Sequence, residues 1–126
     1  MRVLICGSRG WKDPTPISAL IAGYDVLAEG KGEKLIIIHG DAPGADRLAK
    51  RLGKQWGARV IDEPAQWEKY GKRAGFIRNQ KMIDDYQPDA IWAFRSYGKS
   101  NGTDDMITRG EAAGIPTFVV NGGPRE

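Results

Sequence analysis

The chain has 126 residues, of which 17 are glycine, about 13% and roughly twice the usual share; 40% are hydrophobic, and 19 Lys+Arg against 16 Asp+Glu give a net charge of +3. That length supports one domain with a core large enough to need no staple, and a single cysteine, Cys6, excludes an intramolecular disulfide framework. The apolar run at the N-terminus, Val3 to Cys6, is too short for a signal-peptide core or a membrane span, so the expectation is a soluble protein of a reducing compartment, the cytoplasm, with no membrane partner.

Taken in chain order, the first apolar run, Val3 to Cys6, reads as a buried strand ending in Gly7-Ser8-Arg9-Gly10-Trp11. Thr15-Pro16 offers an N-cap with proline at the first helical position, and Ile17, Leu20, Ile21 and Tyr24 form the stripe of a first helix. Gly30 and Gly32 turn the chain into a second strand, Leu35 to His39, followed by Gly40-Asp41-Ala42-Pro43-Gly44. A second helix carries Ala45, Leu48, Ala49, Leu52 and Trp56 on one face and is stopped by Gly57. Arg59 to Ile61 is a third strand, and Glu63 to Trp67 its exit loop. A third helix, about Lys72 to Tyr86, puts Gly75, Asn79, Met82, Ile83 and Tyr86 on one stripe. Ala90 to Phe94 is the fourth strand, with a long polar exit loop from Arg95 to Asp104. A fourth helix, Thr103 to Ala113, ends at Gly114 and Pro116 before the last strand, Thr117 to Val120. The order βαβαβαβαβ, with strands continuously apolar rather than alternating, predicts an α/β fold: one doubly wound, five-stranded parallel sheet flanked by helices. One domain over residues 1–120 and a flexible tail over 121–126 complete the organisation; there is no repeat and no linker.

In such a sheet ligands bind beyond the carboxyl ends of the strands, where strand order reverses. The strand exits here are rich in glycine and polar residues. Gly7, Gly10, Gly40, Gly44, Gly98 and Gly102 cluster there, and Gly44-Ala45 and Gly102-Thr103 open helices whose N-termini can receive an anion. A tight-turn role accounts for any one of these glycines equally well. Two familiar phosphate motifs fail. Gly98-Lys99-Ser100 resembles the end of a P-loop, yet Ala93 stands where its first glycine is needed, and no G-x-G-x-x-G follows the first strand.

Among single residues, His39, the only histidine, either acts in acid–base chemistry or orders its loop by local hydrogen bonds; no second His or Cys stands at ligand spacing, so neither a metal nor a cofactor is expected. Asn79 falls on an apolar stripe and must find partners, either a ligand or a neighbouring loop. Arg78 beside it is either a bidentate anion fork or a solvated charge. Trp11 and Trp67 either stack on a base or roof the core.

The motifs Gly7-Ser8-Arg9-x-Trp11, His39-Gly40-x-Ala42-x-Gly44-Ala45-Asp46-x-Leu48-Ala49, Pro64-Ala65-x-Trp67 and Ala74-Gly75-x-x-Arg78-Asn79-x-x-Met82, in this order, resemble the YspA/YpsA-related branch of the SLOG superfamily. The resemblance implies a Rossmann-like domain that binds or senses a nucleotide or nucleotide-derived small molecule. By position it implies Gly7, Ser8, Arg9, Gly40, Gly44, Asp46, Arg78, Asn79, Gly102 and Thr103 as ligand residues; His39 and Gly98 join them as strand-exit residues. Similar proteins include the LOG phosphoribohydrolases, which cleave the N-glycosidic bond of nucleoside monophosphates and carry P-G-G-x-G-T-x-x-E. Here Gly102-Thr103 remains, but the glutamate position is Met106, which cannot ionise, leaving Asp104 and Asp105 as candidate catalytic carboxylates. Both also suit the positive end of a helix dipole. Hydrolysis therefore ranks below binding. A third reading, single-stranded nucleic-acid binding, rests on Lys69, Lys72, Arg73, Arg78 and Lys81 with Trp67 and Tyr70 interleaved. A homodimer or higher homo-oligomer is expected because a domain this small can complete its crevice with a second copy.

Overall fold

The computed structural model describes residues 1–98 and 100–122. Five strands, β1 (Arg2–Gly7), β2 (Ile36–His39), β3 (Arg59–Asp62), β4 (Ala90–Arg95) and β5 (Thr117–Asn121), form one sheet in the order β3-β2-β1-β4-β5, with every pairing parallel. This is the predicted doubly wound architecture. Strand order reverses between β1 and β4. The predicted strand cores are all present; β5 extends to Asn121, which pairs with Arg95, so the predicted tail loses its first residue to the sheet. Residues 123–126 of that tail, and Lys99, lie outside the described residues.

The continuous apolar runs have the expected cause: alternate residues face opposite layers, and both layers are covered. Val3, Ile5, Ile37 and Phe94 join one core with Ile17 and Ile21 of α1 (Thr15–Gly30) and Ala45, Ala49 and Leu52 of α2 (Ala45–Gln55). Leu4, Cys6, Ile38, Ile91 and Ala93 join the other with Met82 and Ile83 of α4 (Ala74–Tyr86) and Met106 of α5 (Asn101–Ala112). A four-residue helix, α3 (Trp67–Tyr70), and a 3-10 turn (Gly71–Arg73) precede α4.

Several local expectations are corrected. Thr15 is not the cap of α1: Pro14 takes that position, and Asp13, one residue further back, accepts the Thr15 N–H at Oδ1 over 3.0 Å, so its carboxylate satisfies one orphan donor of the first turn. Trp56 lies past the end of α2 and is exposed, so the stripe stops at Leu52. Gly30 is the last residue of α1, and Gly32, with φ +69°, makes the turn alone. The predicted third helix begins at Ala74 rather than Lys72, since Gly71 at φ +62° separates it from α3. The last helix starts two residues early, with Ser100 in the capping position, so Gly102 and Thr103 sit in its first turn.

Gly44 is held by two constraints at once. Its φ of +87° and ψ of −128° suit glycine alone, and a β-carbon there would collide with the Ser8 and Arg9 carbonyls of the β1 exit loop. Gly57 shares the positive φ, at +76°, but faces open space. Gly57→Ala should therefore cost about 1 kcal/mol and Gly44→Ala about 3 kcal/mol or more, read as the shift in urea midpoint at constant slope. Equal losses would mean that the loop–helix approach is not tightly packed.

Candidate functional site

A cavity of about 510 Å³ opens at the carboxyl ends of β1 and β4, the place where strand order reverses. One wall consists of the β1 exit, Gly7 to Gly10, the β4 exit, Ser96 and Tyr97, and the start of α5, Asn101 to Thr103. Trp67, Lys72, Gly75 and Phe76, from α3 through the start of α4, form another. Cys6, Ala42, Asp46, Arg78, Asn79, Met82 and Ser100 complete the lining.

Of the sequence-predicted ligand residues, Gly7, Ser8, Arg9, Asp46, Arg78, Asn79, Gly102 and Thr103 meet in this cavity. His39, Gly40, Gly44 and Gly98 do not line it, and neither do Asp104 and Asp105. The difference has a physical origin at each position. Gly40 and Gly44 are closed against protein: a β-carbon on Gly40 would strike the Arg78 guanidinium and stand 3.0 Å from Asp46 Oδ2. His39 is fully buried at the end of β2; its Nδ1 accepts the Asp41 N–H at 2.9 Å, and its Nε2 lies 2.7 Å from Asp62 Oδ1. Burial, only partly offset by Asp62 and Asp41, lowers its pKa, so it orders the β2 exit as a neutral ring. Gly98, at φ +96°, turns an exposed loop.

Asn79 and Arg78 resolve their open readings through their partners. Asn79 Nδ2 donates to the Gly102 carbonyl at 3.1 Å and to Asp105 Oδ2 at 3.0 Å, while its Oδ1 accepts the Arg78 Nε–H at 3.0 Å. The amide thus fastens the first turn of α5 to α4. Arg78 Nη1 donates to the Gly40 carbonyl at 2.7 Å, which pins the guanidinium at the cavity floor rather than in solvent. Burial lowers its pKa, with Asp46 acting in the opposite direction.

Asp46 is the buried anion of the site. Its Oδ2 accepts the Gly40 N–H at 3.0 Å and the Ala42 N–H at 3.3 Å, which folds the β2 exit over the start of α2. Burial pushes its carboxyl up to about 6, against the lowering effects of Arg78 and the two amides. Cys6 is buried beside it, and burial raises its thiol far above the ordinary range, so it packs there as a neutral thiol.

The candidate carboxylates of α5 are engaged elsewhere. Asp104 binds Arg95 at 2.7 Å, and Asp105 accepts from Arg109 Nε at 2.7 Å as well as from Asn79. Of the five cations read as a nucleic-acid patch, Arg78 is partly buried at the cavity floor and Lys81 pairs with Glu63 at 2.6 Å and Asp85 at 3.4 Å, leaving Lys69, Lys72 and Arg73 exposed. Trp11 roofs the core, edge-on to Phe94 at 5.4 Å. Trp67 is half-exposed, its ring edge 3.4 Å from where a Gly75 β-carbon would stand. Sequence reasoning missed Phe76 and the role of Ser96 and Tyr97. Phe76 stands off the apolar stripe of its helix, and that misplaced aromatic was the available signal.

The family model described as "YspA, cpYpsA-related SLOG family" matches residues 1–70. Gene 61 protein of Mycobacterium phage D29 is 39% identical over 132 residues, spanning 98% of this chain and 98% of that protein. Among solved structures, a UDP-glucose-4-epimerase from Stenotrophomonas maltophila with bound NAD and formylated UDP-arabinopyranose aligns at TM-score 0.50 and 15% identity over 96% of this chain and 36% of that one. The Pnkp1/Rnl/Hen1 complex aligns at TM-score 0.50 and 15% identity over 98% of this chain and 47% of that one. This chain therefore spans between a third and a half of those two structures, and the likeness is one of fold. No helix among the described residues is long and apolar enough to cross a membrane.

The sign of one pH effect follows from Asp46. The folded carboxyl keeps its proton to about pH 6 and the unfolded one only to about 3.8, so the folded state holds more protons in between. The contribution of Asp46 to stability should fall as pH rises through that window and stay level on either side. In Asp46→Asn this fall is absent, and the stability of the variant relative to wild type should rise by about 2–3 kcal/mol between pH 4 and 6. His39 titrates in both proteins and cancels in the difference. Urea unfolding at a series of pH values measures it; a pH-independent difference would contradict a raised carboxyl.

Proposed function

This chain belongs to the YspA, cpYpsA-related SLOG family, and from that premise we propose that it binds a nucleotide or nucleotide-derived small molecule in the cavity at the β1–β4 switch point. The observation that carries this reading is the composition of one cavity. Arg9, Lys72, Arg78 and the N-terminal turn of the twelve-residue α5 face it, and so do the half-exposed rings of Trp67 and Phe76. The first N–H groups of a helix have no acceptor within it and favour an anion, as do the cations; an indole or phenyl face offers a stacking surface for a base. Three cations against Asp46 leave the lining net positive. Its volume falls within the range of small-molecule sites, about 300–1,000 Å³.

Binding, rather than cleavage of an N-glycosidic bond, is the role these side chains support. A general acid or base needs a carboxyl within reach of the reacting atoms, and Asp104 and Asp105 are held outside the lining by arginine partners. Asp46 does line the cavity, but its Oδ2 is occupied by two backbone amides.

The test is thermal stabilisation by a panel of AMP, ADP-ribose, NAD and cyclic nucleotides at millimolar concentration. At least one should raise the melting temperature by several degrees, as expected for a ligand near 100 times its Kd. Arg9→Ala, at an exposed position, should weaken that ligand about tenfold or more and leave the unliganded melting temperature unchanged. No shift from any member would overturn the reading. Release of free base from a nucleoside monophosphate, lost in Asp105→Ala, would replace binding with hydrolysis.

A further inference from the structure

The two edges of the sheet are built differently. β3, Arg59 to Asp62, carries a charge at each end, and Lys50 bridges Asp62 at 2.8 Å, which is how edge strands are ordinarily kept from pairing with other chains. β5 reads Thr-Phe-Val-Val-Asn, with no charge, no proline and strong β formers at its centre. Its Phe118 and Val119 are 43% and 40% exposed. The face above β4 and β5 on the α1 side is aromatic as well: Trp92 stacks on Phe118 at 4.5 Å, and Tyr24 meets Trp92 edge-on at 6.5 Å. Such an edge presents a ready template for a further strand.

The register says which groups are open. The Ile91 N–H donates to the Pro116 carbonyl and the Gly122 N–H to the Arg95 carbonyl. Parallel pairing alternates along a strand, so Phe118 and Val120 turn their amides and carbonyls towards β4, and Thr117, Val119 and Asn121 turn theirs outward. The outward set is symmetric about Val119.

We infer that β5 is a self-pairing edge: two copies of this chain join β5 to β5, antiparallel, about a twofold axis through Val119, into one continuous sheet. The occupant is a second copy because the strand is complementary to itself. Val119 meets Val119 of the partner, exchanging both backbone hydrogen bonds, and Thr117 meets Asn121 of the partner through backbone in the same way, its hydroxyl staying on the Ile115 carbonyl. On the aromatic face Phe118 falls opposite Val120 of the partner in a close, non-hydrogen-bonded pair. Thr117 to Asn121 carry no charge that could meet its own copy across the seam. A twofold also closes the assembly, leaving the guarded β3 strands as the outer edges. This inference is independent of the nucleotide reading.

Sedimentation velocity over a concentration series, with hydrogen exchange on the same full chain, tests it. Wild type should show a concentration-dependent dimer, and the amides of Thr117, Val119 and Asn121 should gain protection with dimer fraction. Val119→Lys sets two like charges opposite each other and should weaken association about 100-fold while leaving the melting temperature within a few degrees. Leu27→Lys, on the exposed side of α1, should leave the dimer intact. A wild-type monomer at every concentration would overturn the inference. So would a dimer in which Thr117 and Val119 exchange freely, one that survives Val119→Lys, or one lost in Leu27→Lys. The exchange result on wild type decides the matter even if the lysine variant fails to fold.

Discussion

The site depends on backbone approaching backbone without a β-carbon in between. At Gly7 an added β-carbon would strike the Phe94 carbonyl and lie 2.6 Å from Ala45 Cβ; at Gly44 it would strike the Ser8 carbonyl; at Gly40, the Arg78 guanidinium. These three positions let the tips of β1, β2 and β4, the start of α2 and one arginine converge at one place. Close packing of this kind is stiff, since interiors tolerate little extra volume. It also explains the Ser8 N–H to Phe94 carbonyl bond at 2.9 Å and the Ser96 N–H to Ser8 Oγ bond at 3.0 Å, which lock the β1 and β4 exits together. At Gly7 this packing forms part of the cavity wall itself; at Gly40 and Gly44 it lies behind that wall.

A polar relay extends this rigidity to the helices. Gly40 accepts from Arg78, Arg78 donates to Asn79, Asn79 to Asp105 and the Gly102 carbonyl, and Arg109 binds both Asp105 and Gln80 Oε1. Arg78 ties α4 to the β2 exit, and Asn79 and Arg109 each tie α4 to α5. Asn79 is 4% exposed, and a buried amide with both ends satisfied specifies one arrangement where an apolar residue would allow several. The α5 N-terminus is thus aimed at the cavity by Asn79, a residue that the apolar stripe of α4 would otherwise have filled with carbon.

The parallel sheet was legible because burial on both faces writes continuous apolar runs, and each predicted strand survives within a residue or two. The helix stripes were legible for the same reason, apart from Trp56, whose spacing fits the period but whose position lies past the helix end. Site membership was only partly legible. Glycine at a strand exit has two uses, cradling an anion or admitting neighbouring protein, and sequence spacing is identical for both; Gly40 and Gly44 took the second. His39 and Asp105 likewise have the chemistry of catalytic groups, but their partners, Asp62 and Arg109, decide their roles. The short α3 escaped because four residues carry no period, although its Trp67 forms part of the cavity wall.

One topological fact connects the cavity with the bare sheet face. The crossovers through α1 and α2 move the chain from β1 to β2 to β3 on one side of the starting strand. Those through α4 and α5 then carry it to β4 and β5 on the other side. Since such crossovers share one hand, reversing direction places the second pair of helices on the opposite face. The reversal separates the exit loops of β1 and β4, which opens the crevice between them. It also leaves Trp92, Phe118 and Val120 on the α1 side beyond the reach of α2, where Tyr24 of α1 meets Trp92 edge-on and its hydroxyl accepts the Trp92 Nε1–H at 2.9 Å. The polar crevice and the aromatic margin of the sheet are consequences of the same change in winding direction, and a sequence that specifies one specifies the other.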